Sequence, residues 1–492
     1  MLSSESRQLA FVFADSPRGG EDDQASDVSV GKSYLLLIAN VKEANETDTR
    51  TTDPADRLLE RAASEANLAQ ALLKVLRNHG APGVDGRSVE EVVADAPRLL
   101  PQLRRDLLTR AYRPGDIRRV WIPKPGGGQR GLGIPNVVDR WVQQALLQVL
   151  EPLWEPRFHD SNHGFRPHRG AQTAIAEATK YLSEGYAYTV DVDLSKFFDR
   201  VHHQRLLNRL AHRVKDGRVL KLVHRILQSA VVHADGTRIA PREGTPQGGP
   251  LSPWLSNVVL DELDWELASR GLRFVRYADD FSVFVKSERA GRRVMNSIQR
   301  FIERRLRLLV NEEKSSVTGP NDLTFLGFRL GKNAQGEVKV TLSDRTSARL
   351  NTRIRELTPR VWGQSLSRCF AGLNRYLQGW IGYFRLCSQE VVKPLGRFDA
   401  HIRRRLRALI IRQRKRDRYF YRHLLSRGIS SRLAARSAFQ RVGVWRRSIS
   451  GGMHRAYPNS WFAERLSTLV SHWDKLNPSR QVSFKQRSLF EY

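Results

Sequence analysis

The chain runs to 492 residues, too long for one ordinary core and enough for about three structural units. Its 82 Lys plus Arg against 51 Asp plus Glu leave a formal charge of +31, which repels itself unless a polyanion is usually present. Only Cys369 and Cys387 occur, which argues against a disulfide framework or paired-cysteine zinc site and for a reducing cytoplasm; the apolar run at 34–39 is too short for a membrane span or signal peptide.

Residues 1–54 carry 5 basic and 10 acidic side chains, are rich in Ser, Asp and Thr, and read as a disordered extension. From Asp56 a helical period begins, with Leu58, Leu59, Ala62, Ala66, Leu68, Leu72, Leu73 and Leu76 on one stripe, and it breaks at Gly80-Ala81-Pro82-Gly83. The stretch 122–135 reads as a β-hairpin with a glycine turn and with Lys124 and Arg130 on opposite arms, two cations suited to a triphosphate. A helix over 137–150 follows, whose stripe at 138, 141, 142, 145, 146, 149 and 150 reads as core.

The segment Ala187–Asp193 reads as a strand, with Thr189, Asp191 and Asp193 on one face and Tyr188, Val190 and Val192 on the other. Gly244–Pro253 is a Gly/Pro loop able to approach a base pair closely, with Gln247 offering a donor and an acceptor, and it leads into an apolar helix at 255–263. Strands at 272–276 and 281–285 flank Tyr277-Ala278-Asp279-Asp280, which places the two carboxylates at a hairpin tip. Next come a helix at 298–309, a polar turn at 311–314 and a hairpin arm at 323–330.

From about residue 342 the pattern turns helical and basic. Residues 55–335 carry 44 basic and 32 acidic side chains, whereas 336–492 carry 33 and 9, a field that fits phosphate-backbone binding with salt-sensitive affinity. Arg403, Arg404, Arg405, Arg407, Arg412, Arg414, Lys415 and Arg416 are the expected nucleic-acid contacts. The interleaved rings Tyr376, Trp380, Tyr383 and Phe384 suit either base stacking or a helix-packing stripe.

An isolated Asp-Asp pair is most often a solvated turn. Here a second acidic strand and the strand pattern on both sides point to nucleotidyl transfer. That reaction uses two divalent ions roughly 3.5–4 Å apart, one activating a 3′ oxygen and one stabilising the leaving pyrophosphate. Mg²⁺ takes oxygen ligands, so two or three Asp side chains with substrate phosphates suffice.

These motifs, in this order, resemble the group II intron reverse transcriptases, or intron-encoded maturases, from about residue 57 to the C-terminus. Tyr277-Ala278-Asp279-Asp280 and Thr245-Pro246-Gln247-Gly248-Gly249 have the family's form, and Ser161-Asn162-His163-Gly164-Phe165-Arg166-Pro167 is close to its signature before the palm. The resemblance implies an α+β right-hand polymerase, with fingers and palm over 55–335, an α-helical thumb or maturase domain over 336–425 that includes 373–384, and a small basic C-terminal region over 426–492. Residues 456–462 resemble a C-terminal signature of many bacterial members.

The implied activity is RNA-directed DNA polymerisation in a bacterial cytoplasm or nucleoid. Its catalytic residues are Asp193, Asp279 and Asp280, and its metal set is Asp193, Leu194, Asp279 and Asp280. Asp191 competes with Asp193, but the family's ligand precedes an aromatic residue by five positions, as Asp193 precedes Phe198. Phe198 would be the steric gate against a ribose 2′-OH. Lys124, Arg130, Phe198, Gln247 and Lys314 make up the dNTP-binding set. Two Mg²⁺ ions are implied, with Mn²⁺ as an alternative.

The implied partners are group II intron RNA, an RNA template with a DNA primer, target DNA and dNTPs, with no membrane; a homodimer is left open. The chain shows no H-N-H endonuclease motif with paired cysteines, which implies priming from a host-supplied nick or nascent strand. Rival expectations are an RNA-binding splicing factor without polymerisation, and a domesticated reverse transcriptase in a defence or CRISPR-associated system. Thr245-Pro246-Gln247-Gly248 disfavours a diversity-generating enzyme, and Ala278 in place of glycine before the Asp pair disfavours an RNA-dependent RNA polymerase.

Overall fold

A computed structural model describes residues 57–123, 128–320, 322–359, 363 and 365–478. The acidic extension and Lys124 therefore lie outside the described residues. The chain divides into two compact units at Thr318–Gly319.

The first unit opens with α1 (Leu58–Ala62) and α2 (Glu65–Arg77) instead of one long helix. Ser64 separates them: its hydroxyl accepts from the Asn67 N–H and caps α2, satisfying a donor that helix geometry leaves unpaired. Next are α3 (Val89–Ala94), begun by a Ser88/Glu91 capping box, and α4 (Ala96–Leu108). The fingers hairpin is β1 (Ile117–Pro123) with β2 (Gln129–Ile134), in the register Ile122 opposite Arg130. It lies in a four-stranded sheet, order β2-β1-β4-β5, completed by the short strands β4 (Val231–Val232) and β5 (Arg238–Ile239).

The expected core helix is α5 (Val137–Trp154), with Trp141 fully buried and its indole N–H donating to the Leu68 carbonyl. Helices α6 (Ala171–Ser183), α7 (His203–Ala211) and α8 (Gly217–Leu227) follow. Helix α9 (Ser252–Ser269) starts at Ser252-Pro253, where proline's missing N–H costs nothing, and is buried on most sides.

The palm sheet has the order β6-β7-β3-β8 and is antiparallel throughout, from β3 (Tyr188–Val192), β6 (Arg273–Tyr277), β7 (Asp280–Val285) and β8 (Ser316–Thr318). Its buried Val190, Val192, Phe274, Phe281 and Val283 join Trp141, Trp254 and the helix leucines in one core. Each such side chain contributes roughly 1.5–3 kcal/mol on burial. Helix α10 (Glu288–Phe301) runs into a π-helical turn, Ile302–Leu306.

The second unit begins with a three-stranded antiparallel sheet, β9 (Leu323–Phe325), β10 (Phe328–Lys332) and β11 (Val338–Leu342), in the order β11-β10-β9. The expected hairpin arm at 323–330 is β9 with the first part of β10, and β10 pairs in turn with β11. Helices then dominate: α11 (Asp344–Leu357), α12 (Leu366–Tyr383), α13 (Val392–Gln413), α14 (Asp417–Ser426), α15 (Ser431–Ala438) and shorter turns to Leu476. Ser343 and Ser365 cap α11 and α12. Trp380 and Phe384 are buried and Tyr383 stacks on Phe328, so these three rings pack within this unit. Among the described residues no helix is long and apolar enough to cross a membrane.

Candidate active site

The hairpin of β6 and β7 closes on the pair Tyr277–Asp280, leaving Ala278 and Asp279 as a two-residue loop. Ala278 has φ +60°, a conformation that costs an L-residue of order 1–3 kcal/mol and persists only where its surroundings enforce it. The enforcing contacts are dense. The Arg276 guanidinium donates through Nη1 to the Ala278 carbonyl at 2.9 Å and to Asn257 Oδ1 at 3.0 Å. Through Nε and Nη2 it forms a fork on Asp264 at 2.6 and 2.5 Å, and both partners of that ion pair are 0% exposed.

The segment before the palm braces the same turn. Arg276 N–H donates to the Ser161 carbonyl and His163 N–H to the Arg276 carbonyl, each at 2.8 Å. Gly164 lies so close that a Cβ there would sit 2.2 Å from the Ala278 nitrogen. His163 itself is buried, with its ring between Thr173 and Glu177.

Opposite the hairpin tip, β3 presents Asp191 and the chain just beyond it presents Asp193. They differ in surroundings. Asp191 accepts from the hydroxyls of Ser282 and Thr318, one on each flanking strand, so both its oxygens have partners within the sheet. Asp193 lies beyond the strand with its side chain 46% exposed, and Lys314 Nζ stands 3.9 Å from its Oδ2. Its backbone is pinned, since the Asp193 N–H donates to Ser315 Oγ and the Asp193 carbonyl accepts from Asn311. Ladder bonds Ser195–Leu309 and Asn311–Asp193 flank Leu194 and leave its own carbonyl outside that pairing. Leu194 is apolar and its side chain is buried, so only that carbonyl can serve a cation.

These carboxylates sense one another. Burial pushes Asp280 up to about 7, with further upward pushes from Asp191, Asp279 and Asp193. Asp280 is nonetheless reachable by solvent, since it stands at the exposed end of β7. Burial likewise raises Asp279 and Asp193 adds to it, against Arg130 and Arg276. Asp191 is raised by burial and lowered by its hydroxyl donors.

Among the described residues no three acidic, His or Cys groups stand close enough to form a finished metal cage. The fit to a divalent cation is therefore one of charge and donor type: crowded, mutually repelling oxygen donors of the kind Mg²⁺ takes.

The fingers and the Gly/Pro loop meet directly. Arg130 Nε donates to Gln247 Oε1 at 2.9 Å, and Gly133 N–H donates to the Gln247 carbonyl at 2.8 Å. Gly248 has φ +140°, and a Cβ there would lie 2.4 Å from the Gly133 carbonyl oxygen, so glycine is required. The loop's other end holds the aromatic turn, with Thr245 N–H donating to the Phe198 carbonyl at 2.7 Å. Phe198 is 8% exposed, edge-on to Phe197. One loop thus connects Arg130, Gln247 and Phe198; Lys314 stands apart, beside Asp193.

In the second unit the basic set separates. Arg407 is a correction to the expected nucleic-acid contacts: it is 3% exposed, donates to the Tyr457 carbonyl and Asn459 Oδ1, and lies against Phe462. Burial, then Arg403, lowers it to about 10. Arg405 is also committed internally, to the hydroxyl and carbonyl of Thr358. Arg404 stacks on Trp445. Arg412, Lys415 and Arg416 are exposed. Arg414 and Lys415, with Gln413, Tyr419, Arg422, His423 and Ser426, line an open cavity of about 530 Å³.

Sequence reasoning missed Arg276, Asp264 and Asn257, and singled out the 161–167 motif without its bracing role. The available signal was a charge inside an apolar strand and two polar residues seven apart on an apolar helix.

A carboxylate hairpin on an antiparallel palm sheet, served by a fingers hairpin and a glycine loop, defines the polymerase class of nucleotidyltransferase. Residues 122–330 match the family described as reverse transcriptase (RNA-dependent DNA polymerase), and 347–428 match the maturase-specific domain of group II introns. Protein YkfC of Escherichia coli K12 is 34% identical over 336 residues, covering 59% of this chain and 88% of its own length. Group II intron-encoded protein LtrA of Lactococcus lactis is 33% identical over 207 residues, 42% of this chain and 33% of LtrA. A putative COX1/OXI3 intron 2 protein of Saccharomyces cerevisiae is 27% identical, over 60% of this chain and 40% of its own. The chain thus spans most of YkfC but well under half of these two intron proteins. A solved chain of a partial Cas6-RT-Cas1--Cas2 complex matches at 24% identity over 50% of this chain and 42% of its own, with a TM-score of 0.31, too low to bear on function.

The chain belongs to the group II intron reverse transcriptase/maturase family, whose members are RNA-directed DNA polymerases.

Proposed function

We propose that the protein copies the RNA of a group II intron into DNA by extending a DNA primer with dNTPs, and that its second unit grips that RNA and assists its splicing. The observation that carries the reading is the placement of Asp279 and Asp280 at a braced hairpin tip, within electrostatic reach of Asp193. Two Mg²⁺ ions held by Asp193, Asp279, Asp280 and the Leu194 carbonyl would activate the attacking 3′-hydroxyl and neutralise the triphosphate. Asp191 is the weaker candidate because its oxygens already accept from Ser282 and Thr318.

The remaining work falls to positioning and charge. Arg130 offers its guanidinium to the incoming triphosphate while its Nε fixes Gln247 beside the templating base. Lys124 shares the triphosphate role. Phe198, held by the Thr245 N–H, presents its ring edge to the sugar and disfavours a 2′-hydroxyl. Lys314 beside Asp193 is placed to assist the departing pyrophosphate.

The purified chain should extend a DNA primer on an RNA template with Mg²⁺ and dNTPs but not NTPs. Asp279→Asn should abolish extension and leave RNA affinity intact. Extension by that variant at the wild-type rate would overturn the assignment. Tight RNA binding without extension by the wild type would favour a splicing factor alone.

A further inference from the structure

We propose that Arg276 is a positioning residue for nucleotidyl transfer: held by Asp264 and Asn257, it sets the conformation of the turn that aims Asp279 and Asp280. This rests on the catalytic reading of those carboxylates.

The argument begins with cost. A fully buried ion pair loses the hydration of both charges, and replacing it with well-packed apolar groups is often neutral or stabilising. The Arg276–Asp264 pair is 0% exposed on both sides, and the strand and helix that carry it also supply Phe274 and Leu260 to the buried core. Stability alone is thus a poor reason for a guanidinium here. Its hydrogen bonds give a better one.

Four bonds leave its three nitrogens, and one ends on the Ala278 carbonyl, inside the loop between the paired residues Tyr277 and Asp280. That bond holds a non-glycine residue at φ +60°, and through it fixes the direction in which the chain leaves toward Asp279. Asp264 and Asn257 lie seven residues apart on one face of α9, so a rigid helix sets the position of the guanidinium. Asn257 also donates to the Gly164 carbonyl at 2.7 Å, joining the 161–164 brace to the same anchor. The main chain of Arg276 is held at the same time: its N–H donates to the Ser161 carbonyl and its carbonyl accepts from the His163 N–H, both on the edge of β6 away from β7. Lysine cannot substitute, because one ammonium cannot fork Asp264 while also reaching Asn257 and Ala278.

Two variants of the full chain test this. Arg276→Lys keeps the buried charge pair and loses the fork geometry. The double variant Arg276→Met with Asp264→Leu removes both charges together and avoids stranding one of them. In each, kcat for dNTP addition should fall 10- to 100-fold, the size usual when a group supporting metal ligands is removed, while dNTP KM and RNA affinity stay within about twofold.

A readout independent of turnover is amide hydrogen exchange, which should accelerate at 277–280 in both variants while the α9 amides stay protected. Wild-type kcat and wild-type exchange at the turn in either folded variant would overturn the proposal, as would a fall in melting temperature with kcat unchanged. Asp279→Asn in the same assay separates the two readings. If it still extends primers, the catalytic assignment fails, and exchange at the turn alone decides whether Arg276 sets it. If it is inactive while both Arg276 variants keep full rate, only the positioning role fails.

Discussion

Ala278 is held in a left-handed conformation by neighbours that leave it no room to relax, and this makes Gly164 a sensitive position. A methyl group there would come within 2.2 Å of the Ala278 nitrogen, a backbone atom that cannot step aside. Gly164→Ala should therefore destabilise by about 1–3 kcal/mol and lower extension at least tenfold, with RNA affinity unchanged. Thermal melts and primer extension on one preparation check both. Phe198 carries a double expectation because it is a core residue as well as the candidate gate. Phe198→Val should cost roughly 1–3 kcal/mol through the cavity it leaves, and should raise the ratio of NTP to dNTP incorporation. An unchanged ratio in a folded variant would remove the gate assignment. Arg130→Gln should raise dNTP KM about tenfold, since it removes a cation and also frees Gln247.

At the scale of elements, His423 on α14 faces Arg414 at the end of α13, and Arg427 and Tyr457 lie around it. Burial, then Arg414 and Arg427, lowers its pKa from 6.5 to about 4, and its ring nitrogen meets the Tyr457 hydroxyl at 2.6 Å. A histidine lowered by folding contributes stability that is full above pH 6.5 and is lost as pH falls toward 4. After screening by solvent the loss should be about 1–2 kcal/mol. Melting temperature against pH for wild type and His423→Gln measures it, the variant having the flatter profile in that window; parallel profiles would dismiss the linkage. The break between α1 and α2 has a local cause too. The apolar stripe passes from Ala62 to Ala66 at helical spacing, so periodicity predicts one helix; the Ser64 hydroxyl takes the Asn67 N–H and starts a second.

Across the whole molecule, the positive charge concentrates in 336–492, and the structure separates its structural from its solvent-facing members. Arg405 and Arg407 bind carbonyls of their own unit, whereas Arg414, Lys415 and Arg422 line a cavity in which no carboxylate salt bridge to them occurs among the described residues. Arg414→Gln with Arg422→Gln should weaken RNA binding and reduce the slope of log affinity against log salt by about 2, leaving extension on a saturating template near wild type. Arg407→Gln should instead lower the melting temperature, because it leaves the buried Tyr457 carbonyl short of its donor. A salt slope unchanged by the first pair would move the RNA face elsewhere on this unit.

By itself the sequence determined the strand–turn–strand around Tyr277–Asp280, the second acidic strand, the glycine loop, the fingers hairpin and the basic C-terminal third. These depend on alternation, turn chemistry and charge, all carried by residues near one another in the chain. Tertiary structure alone decided which members of each set face one another. Asp191 and Asp193 share a predicted strand face, but pairing with β7 and β8 gives Asp191 two hydroxyl partners and leaves Asp193 half open beside Lys314. Arg407 and Arg412 read alike as expected nucleic-acid contacts, but helix packing buries the first and exposes the second. The bond from Arg276 to the turn depends on Asp264 and Asn257 of a separate helix and on Gly164 more than 90 residues earlier. Such contacts have no periodicity to betray them, because they are made by folding and not by spacing.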